Sequence, residues 1–366
     1  MRHAILHVGL HKTGTSAIQR ALSEARDALA AQGISYPGPA GRRPLPRAHH
    51  ALSQDLGLPV EPEPDRFGLA ELDAVLAEDG ADTLVLSSET LSGPLVTAER
   101  VRPLVDRLLR HGFAVTAVAF VRPQAALATS FYVEQVKALQ CDLDFEAYAA
   151  ELVAHDEMDL GRRLQAWTDS PEIRFVAVPY RPARDGLNPA EDLLAAAGVD
   201  EARIRAVGLG AGERVNVSFG PEGVAACRLL ARRAASLLPG ARRALAQIAL
   251  DEVQIRGWDA GRFDGFDDDG ARRFGERFAA SNEAFAARHW GSGFDARFGQ
   301  EAGRRWHRNE RSPETLGDAG EAFVDAVLRR FEADDLRPKI VRLRRQAERQ
   351  ARRGPFRRLF DAVRGR

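Results

Sequence analysis

Over the first 200 residues, short apolar runs alternate with longer stretches of helical period, the pattern of a parallel α/β sheet. Ala4–Val8 predicts a strand, and Ser16–Gln32 predicts a helix through Ile18, Leu22, Ala25 and Leu29, stopped by Gly33. Thr83–Ser87 and Ala114–Val121 read as buried strands. Pro123 then suits the first position of a helix running to about Leu139. Ile173–Val178 predicts another strand, and Pro189–Ala197 a helix closed by Gly198. Beyond residue 200 the strand pattern fades and the chain reads as helical, rich in Arg, Ala and Glu.

The fold expected is therefore α/β: a central parallel sheet flanked by helices, followed by a helical C-terminal section and a basic tail. The boundaries fall at 1–200, 201–335 and 336–366. Two long loops interrupt the first section, Pro37–Arg47 and the stretch holding Pro59, Pro62 and Pro64. Loops of such length are commonly functional or mobile.

Charge changes the picture. The 366 residues carry 52 basic and 52 acidic side chains. That balance argues against a nucleic-acid partner, which needs a surplus of cations to displace counterions. Residues 336–366 hold 12 basic and 2 acidic residues, leaving 40 basic against 50 acidic in 1–335. Only three of the basic residues are lysines: Lys12, Lys137 and Lys339. Cys141 and Cys227 make no disulfide or metal framework, which fits a reducing cytosol. No secretory leader opens the sequence, and no run of about 18 apolar residues would span a bilayer.

The segment richest in chemistry is Val8-Gly9-Leu10-His11-Lys12-Thr13-Gly14-Thr15-Ser16, between the first strand and the first helix. Its glycines permit tight turns, its amides can converge on an anion, and the helix adds its positive end. Thr13, Thr15 and Ser16 offer hydroxyls, and Lys12 a compact charge. In the usual nucleoside-triphosphate loop the lysine follows the last glycine. Here it precedes Gly14 by two, which disfavours a P-loop kinase acting on a small molecule or sugar.

A second segment is Phe120-Val121-Arg122-Pro123, with Ser130 eight residues after Arg122. Parallel strands deliver their C-terminal ends to one rim, so Arg122 is expected near the Lys12 loop. Guanidinium and hydroxyl together suit a second phosphate.

The two segments together resemble the sulfotransferases that use 3′-phosphoadenosine 5′-phosphosulfate, in particular the bacterial carbohydrate-type members. Lys12-Thr13-Gly14-Thr15-Ser16 is similar to that family's 5′-phosphosulfate loop, and Arg122 with Ser130 to its 3′-phosphate motif. The resemblance extends to about residue 200 and leaves the tail outside. It implies a P-loop-like sulfotransferase architecture and transfer of a sulfuryl group to a hydroxyl of a saccharide or glycolipid. His11, Lys12, Thr13, Gly14, Thr15, Ser16, Arg122 and Ser130 would bind the donor, with Lys12 also neutralising the leaving oxygen, and no metal is implied.

The acceptor hydroxyl needs a base. Glu89, just past the strand 83–88, is the first candidate, and His50 of the His49-His50 pair is the alternate. The chain departs from the family at Pro123, where many members carry an acidic or amide side chain. The later Arg-Lys-Gly element is also missing, and Arg214–Ser218 is a candidate to stand in its place. A non-catalytic nucleotide-binding scaffold is the remaining alternative.

The tail, 337–366, interleaves Ile340, Leu343, Phe356 and Leu359 with arginines. As an amphipathic helix it would touch an anionic inner-membrane surface or an acidic glycan; otherwise it is a solvated terminus. A cytoplasmic protein, peripheral at the membrane at most, is the expectation.

Overall fold

The computed structural model describes residues 2–39, 45–60, 66–78, 80–155, 158–180, 188–210, 219–298 and 303–333. The basic tail 337–366, Arg214–Ser218, Pro62 and Pro64 lie outside these residues.

The chain divides into two compact units: Met1–Ala128 with Ala149–Asn216 and Asp268–Trp306, and Thr129–Tyr148 with Val217–Asp267 and His307–Arg366. The elements run in chain order β1 (Arg2–Gly9), α1 (Thr15–Glu24), α2 (Arg26–Ala31), β2 (Ile34–Ser35), α3 (His50–Asp55), α4 (Leu69–Glu78), β3 (Thr83–Ser87), α5 (Ala98–Arg110) and β4 (Phe113–Val121). There follow α6 (Gln124–Lys137), α7 (Phe145–Ala154), α8 (Leu160–Thr168), β5 (Ile173–Pro179), α9 (Pro189–Ala197) and α10 (Glu201–Val207). The last are α11 (Pro221–Arg233), α12 (Pro239–Ile255), α13 (Asp268–Glu276), α14 (Ala279–Trp290) and α15 (Gly317–Ala333).

The first unit is built on one five-stranded sheet of order β2-β3-β1-β4-β5, in which every pairing is parallel. The α/β expectation holds. β1, β3, β4 and β5 are mostly apolar, with no regular polar alternation, because helices cover both faces of the sheet. On one face Ile5, Val85, Val118 and Phe120 pack with Ile18 and Leu22 of α1, Leu193 and Leu194 of α9, and Ile204 of α10. On the other lie α4, α5 and α8, with α14 packed on α8 and β5. Right-handed crossovers account for this division, since the chain leaves β1 toward β2 but leaves β3 and β4 toward the opposite edge.

The predicted helix 16–32 is two helices, broken at Ala25, whose φ of −95° and ψ of 14° are not helical. β2 has no counterpart in the sequence reading. α9 ends as expected, on Gly198 in the left-handed region at φ 93°. The second unit is helical among its described residues, with α15 in contact with both α11 and α12. At its centre Arg228 donates to Glu310 Oε1 at 3.0 Å, an ion pair sealed from solvent.

Candidate functional site

Ligands in open α/β sheets bind beyond the carboxyl ends of the strands, where successive connections part to opposite sides. In this sheet that point lies between β1 and β4. The Lys12 loop leaves β1 there, Arg122 follows β4, and the Glu89 turn follows β3 on the other side of β1.

The loop is shaped by its backbone. Lys12 itself is in the left-handed region at φ 62°, and Gly14 follows at φ 83° as the N-cap of α1. No side chain caps α1, and its first turn holds no acidic residue, so its leading amides are not competed for by a carboxylate. Thr13 is buried and donates its hydroxyl to the Leu10 carbonyl at 2.6 Å, tying the loop to itself. Thr13 therefore faces inward, whereas Ser16 is exposed on the first turn and Thr15 is buried beside it. A Cβ on Gly14 would lie 3.0 Å from the Tyr180 ring, and the ring sits 5.6 Å from the Arg122 guanidinium. Arg122, almost fully buried, donates to the Lys12 carbonyl at 3.4 Å. Loop, arginine and tyrosine thus form one packed group at the ends of β1, β4 and β5.

Glu89 opens a short 3₁₀ turn, Glu89–Leu91, pinned by a hydrogen bond of 2.8 Å from Trp167 Nε1 to the Leu91 carbonyl. Its backbone abuts Gly9, where an added Cβ would meet the Glu89 Cα at 3.2 Å. Gln19 of α1 donates to Glu89 Oε2 at 2.7 Å, and His50 Nε2 lies 3.7 Å from the same oxygen. Burial pushes the Glu89 carboxyl up, but His50, His11, its own amide and Gln19 outweigh burial and hold it below the ordinary carboxylate value. Glu89 is therefore an ionised carboxylate at neutral pH.

The two adjacent histidines separate. His49 is fully buried, accepts from the Ser87 amide through Nδ1 at 2.9 Å and donates from Nε2 to the Pro37 carbonyl at 3.1 Å. Burial pushes it down to about 4, so it is a neutral strut with both nitrogens engaged. His50 instead meets Ser88 Oγ through Nδ1 at 2.9 Å and turns Nε2 toward Glu89.

His11, Lys12, Thr13, Gly14, Thr15, Ser16, His50, Glu89 and Arg122 all belong to the first unit, whereas Ser130 lies on the portion of α6 assigned to the second. Gln19, Ser88 and Tyr180 were not foreseen. One signal was available for Gln19: it is a polar residue inside the buried stripe Thr15, Ile18, Gln19, Leu22 of α1. Among the described residues no group of three or more His, Cys, Asp or Glu could hold a metal ion, and no helix is long and apolar enough to cross a membrane. Compared with known proteins, the chain matches no family model, and no curated sequence matches it significantly.

Proposed function

We propose that this protein is a sulfotransferase that moves a sulfuryl group from 3′-phosphoadenosine 5′-phosphosulfate to a hydroxyl of a saccharide or glycolipid. The observation that carries the reading is the uncapped, lysine-bearing loop at the switch point, with Arg122 tied to it on one side and the Glu89–His50 pair on the other. The left-handed loop and leading amides of α1 suit a phosphate, and the residues present fit a donor bearing two phosphate groups. When bound, that donor would supply an activated sulfuryl group on its 5′-phosphate.

Each residue then has a task. Sulfuryl transfer, like phosphoryl transfer, is governed by positioning and by charge placed where charge develops. Lys12 would neutralise the leaving oxygen, and a compact ammonium suits that place better than a guanidinium. The amides of Gly14 to Ser16 and the Ser16 hydroxyl would hold the 5′-phosphate. Arg122 would take the 3′-phosphate that distinguishes this donor from ordinary adenine nucleotides. Glu89 and His50 would receive the acceptor's proton.

Calorimetry with adenosine 3′,5′-bisphosphate and adenosine 5′-phosphate tests the reading. The bisphosphate should bind at least about 10-fold tighter, worth about 1.4 kcal/mol, and Arg122→Ala should abolish the difference. Equal affinity of the wild-type protein for both nucleotides would refute the assignment.

A further inference from the structure

Three hydroxyls lie beneath His50, and counting their protons shows which nitrogen of its ring donates to them. Thr90 Oγ1 donates to Ser53 Oγ at 2.6 Å, and a hydroxyl has a single proton to give. The contact between Ser88 Oγ and Thr90 Oγ1 at 2.7 Å must then carry the proton of Ser88. Ser53 can close the ring by donating to Ser88 Oγ at 3.4 Å. Each hydroxyl donates once around the ring, and Ser88 offers His50 only a lone pair. The nitrogen facing it, Nδ1 at 2.9 Å, is therefore the donor.

A neutral imidazole carries one N–H and one lone pair. The lone pair accordingly belongs to Nε2, the nitrogen turned toward Glu89 Oε2 at 3.7 Å. Ser88 occupies the N-cap of the Glu89–Leu91 turn, yet its side chain makes no capping bond. A serine at that position ordinarily caps with its hydroxyl; here the hydroxyl is engaged by Thr90 and His50 instead.

We infer that Ser53, Ser88 and Thr90 are positioning residues that lock His50 in the Nδ1–H tautomer, making Nε2 the proton acceptor and Glu89 its stabilising carboxylate. The inference rests on the transfer reading above and decides between the two candidate bases. Glu89 Oε2 already accepts from Gln19 at 2.7 Å and lies 3.7 Å from Nε2, the place for a counter-charge to an imidazolium. As the acceptor oxygen forms its bond to sulfur, its proton passes to Nε2. The sulfur–oxygen bond to the 5′-phosphate breaks, and its electron pair stays on the phosphate oxygen. Nε2 later returns the proton to water.

The test is the tautomer of His50, read by multiple-bond proton–nitrogen correlation on the full-length protein labelled with ¹⁵N-histidine, without nucleotide. The wild-type ring should be Nδ1–H. Thr90→Val releases the proton of Ser88 to Nδ1 and should convert the ring to Nε2–H. Sulfuryl transfer should fall on the order of 10²-fold in kcat, with affinity for adenosine 3′,5′-bisphosphate unchanged. Thr90→Ser should restore both. Ser53→Ala reaches the same conversion by another route, because the Thr90 proton can then turn to Ser88, so the test survives if one variant fails to fold. A wild-type Nε2–H ring, or an Nδ1–H ring that persists in both variants, overturns the inference. An Nδ1–H ring in a protein that does not discriminate between the two nucleotides would keep the lock and remove the transfer reading.

Discussion

His7 and His49 are sealed inside the first unit, and burial pushes both from the ordinary 6.5 down to about 4. For His7 the nearby Glu89 opposes the shift without reversing it. In the folded protein both rings stay neutral until the pH approaches 4, while in the unfolded chain they take up protons from about pH 6.5. The unfolded state therefore binds more protons across that window. Stability is fully present above the unfolded value and is lost as the pH falls toward the folded one. Between pH 7 and pH 5 the loss is about 2 kcal/mol for each ring, or about 4 kcal/mol together. Urea unfolding followed by tryptophan fluorescence is the assay, since Trp167, Trp290 and Trp306 of the four tryptophans belong to the first unit. A double variant, His7→Gln with His49→Gln, cannot take up these protons. It should be less stable at pH 7 but nearly flat between the two pH values. A double variant that loses as much stability on acidification as the wild type would refute the reasoning, because the loss would then come from other groups.

Two further outcomes follow from the packing. Gly14→Ala places a Cβ 3.0 Å from the Tyr180 ring and forces an alanine to φ 83°. It should cost about 1–2 kcal/mol in urea unfolding and weaken bisphosphate binding; unchanged values for both would show that the tight approach is not kept. In the second unit, Glu310→Ala would strip Arg228 of its carboxylate partner and the Phe145 amide of its acceptor, and leave the Tyr132 hydroxyl only the Leu143 carbonyl. A loss of about 3–5 kcal/mol is expected, measured by denaturant unfolding on the Trp258 signal, and a loss below about 1 kcal/mol would mean the pair behaves as a surface one.

The strands at the centre of the sheet were legible because helices cover both their faces, which leaves predominantly apolar runs such as Ala114–Val121. β2 was not, since Ile34 and Ser35 are too few to carry a period, and their strand character comes from pairing with Thr83 and Leu84. The break at Ala25 was hidden for the opposite reason: Ile18, Leu22, Ala25 and Leu29 keep their spacing across it. At the site, Lys12, Arg122 and Glu89 were readable because each directly follows a strand, and parallel strands bring such residues to one rim. Gln19, Ser88, Thr90 and Tyr180 act through partners distant in sequence or through hydroxyl directions, and no local pattern encodes those. The pairing of His49 and His50 in sequence was misleading about their equivalence, since one turns into the core and the other toward Glu89.

The three groups of the rim leave three neighbouring strands, β3, β1 and β4, and strands in a sheet stand about 4.8 Å apart. The spacing from the Glu89 turn to the Lys12 loop to Arg122 is thus a ruler graduated by main-chain hydrogen bonds. Exchanging one apolar core side chain for another would alter how firmly the ruler is held long before it altered the divisions. Descendants of this chain could therefore replace most of their interior, and reshape the surrounding loops, while the distance between the Lys12 loop and Arg122 stayed as it is.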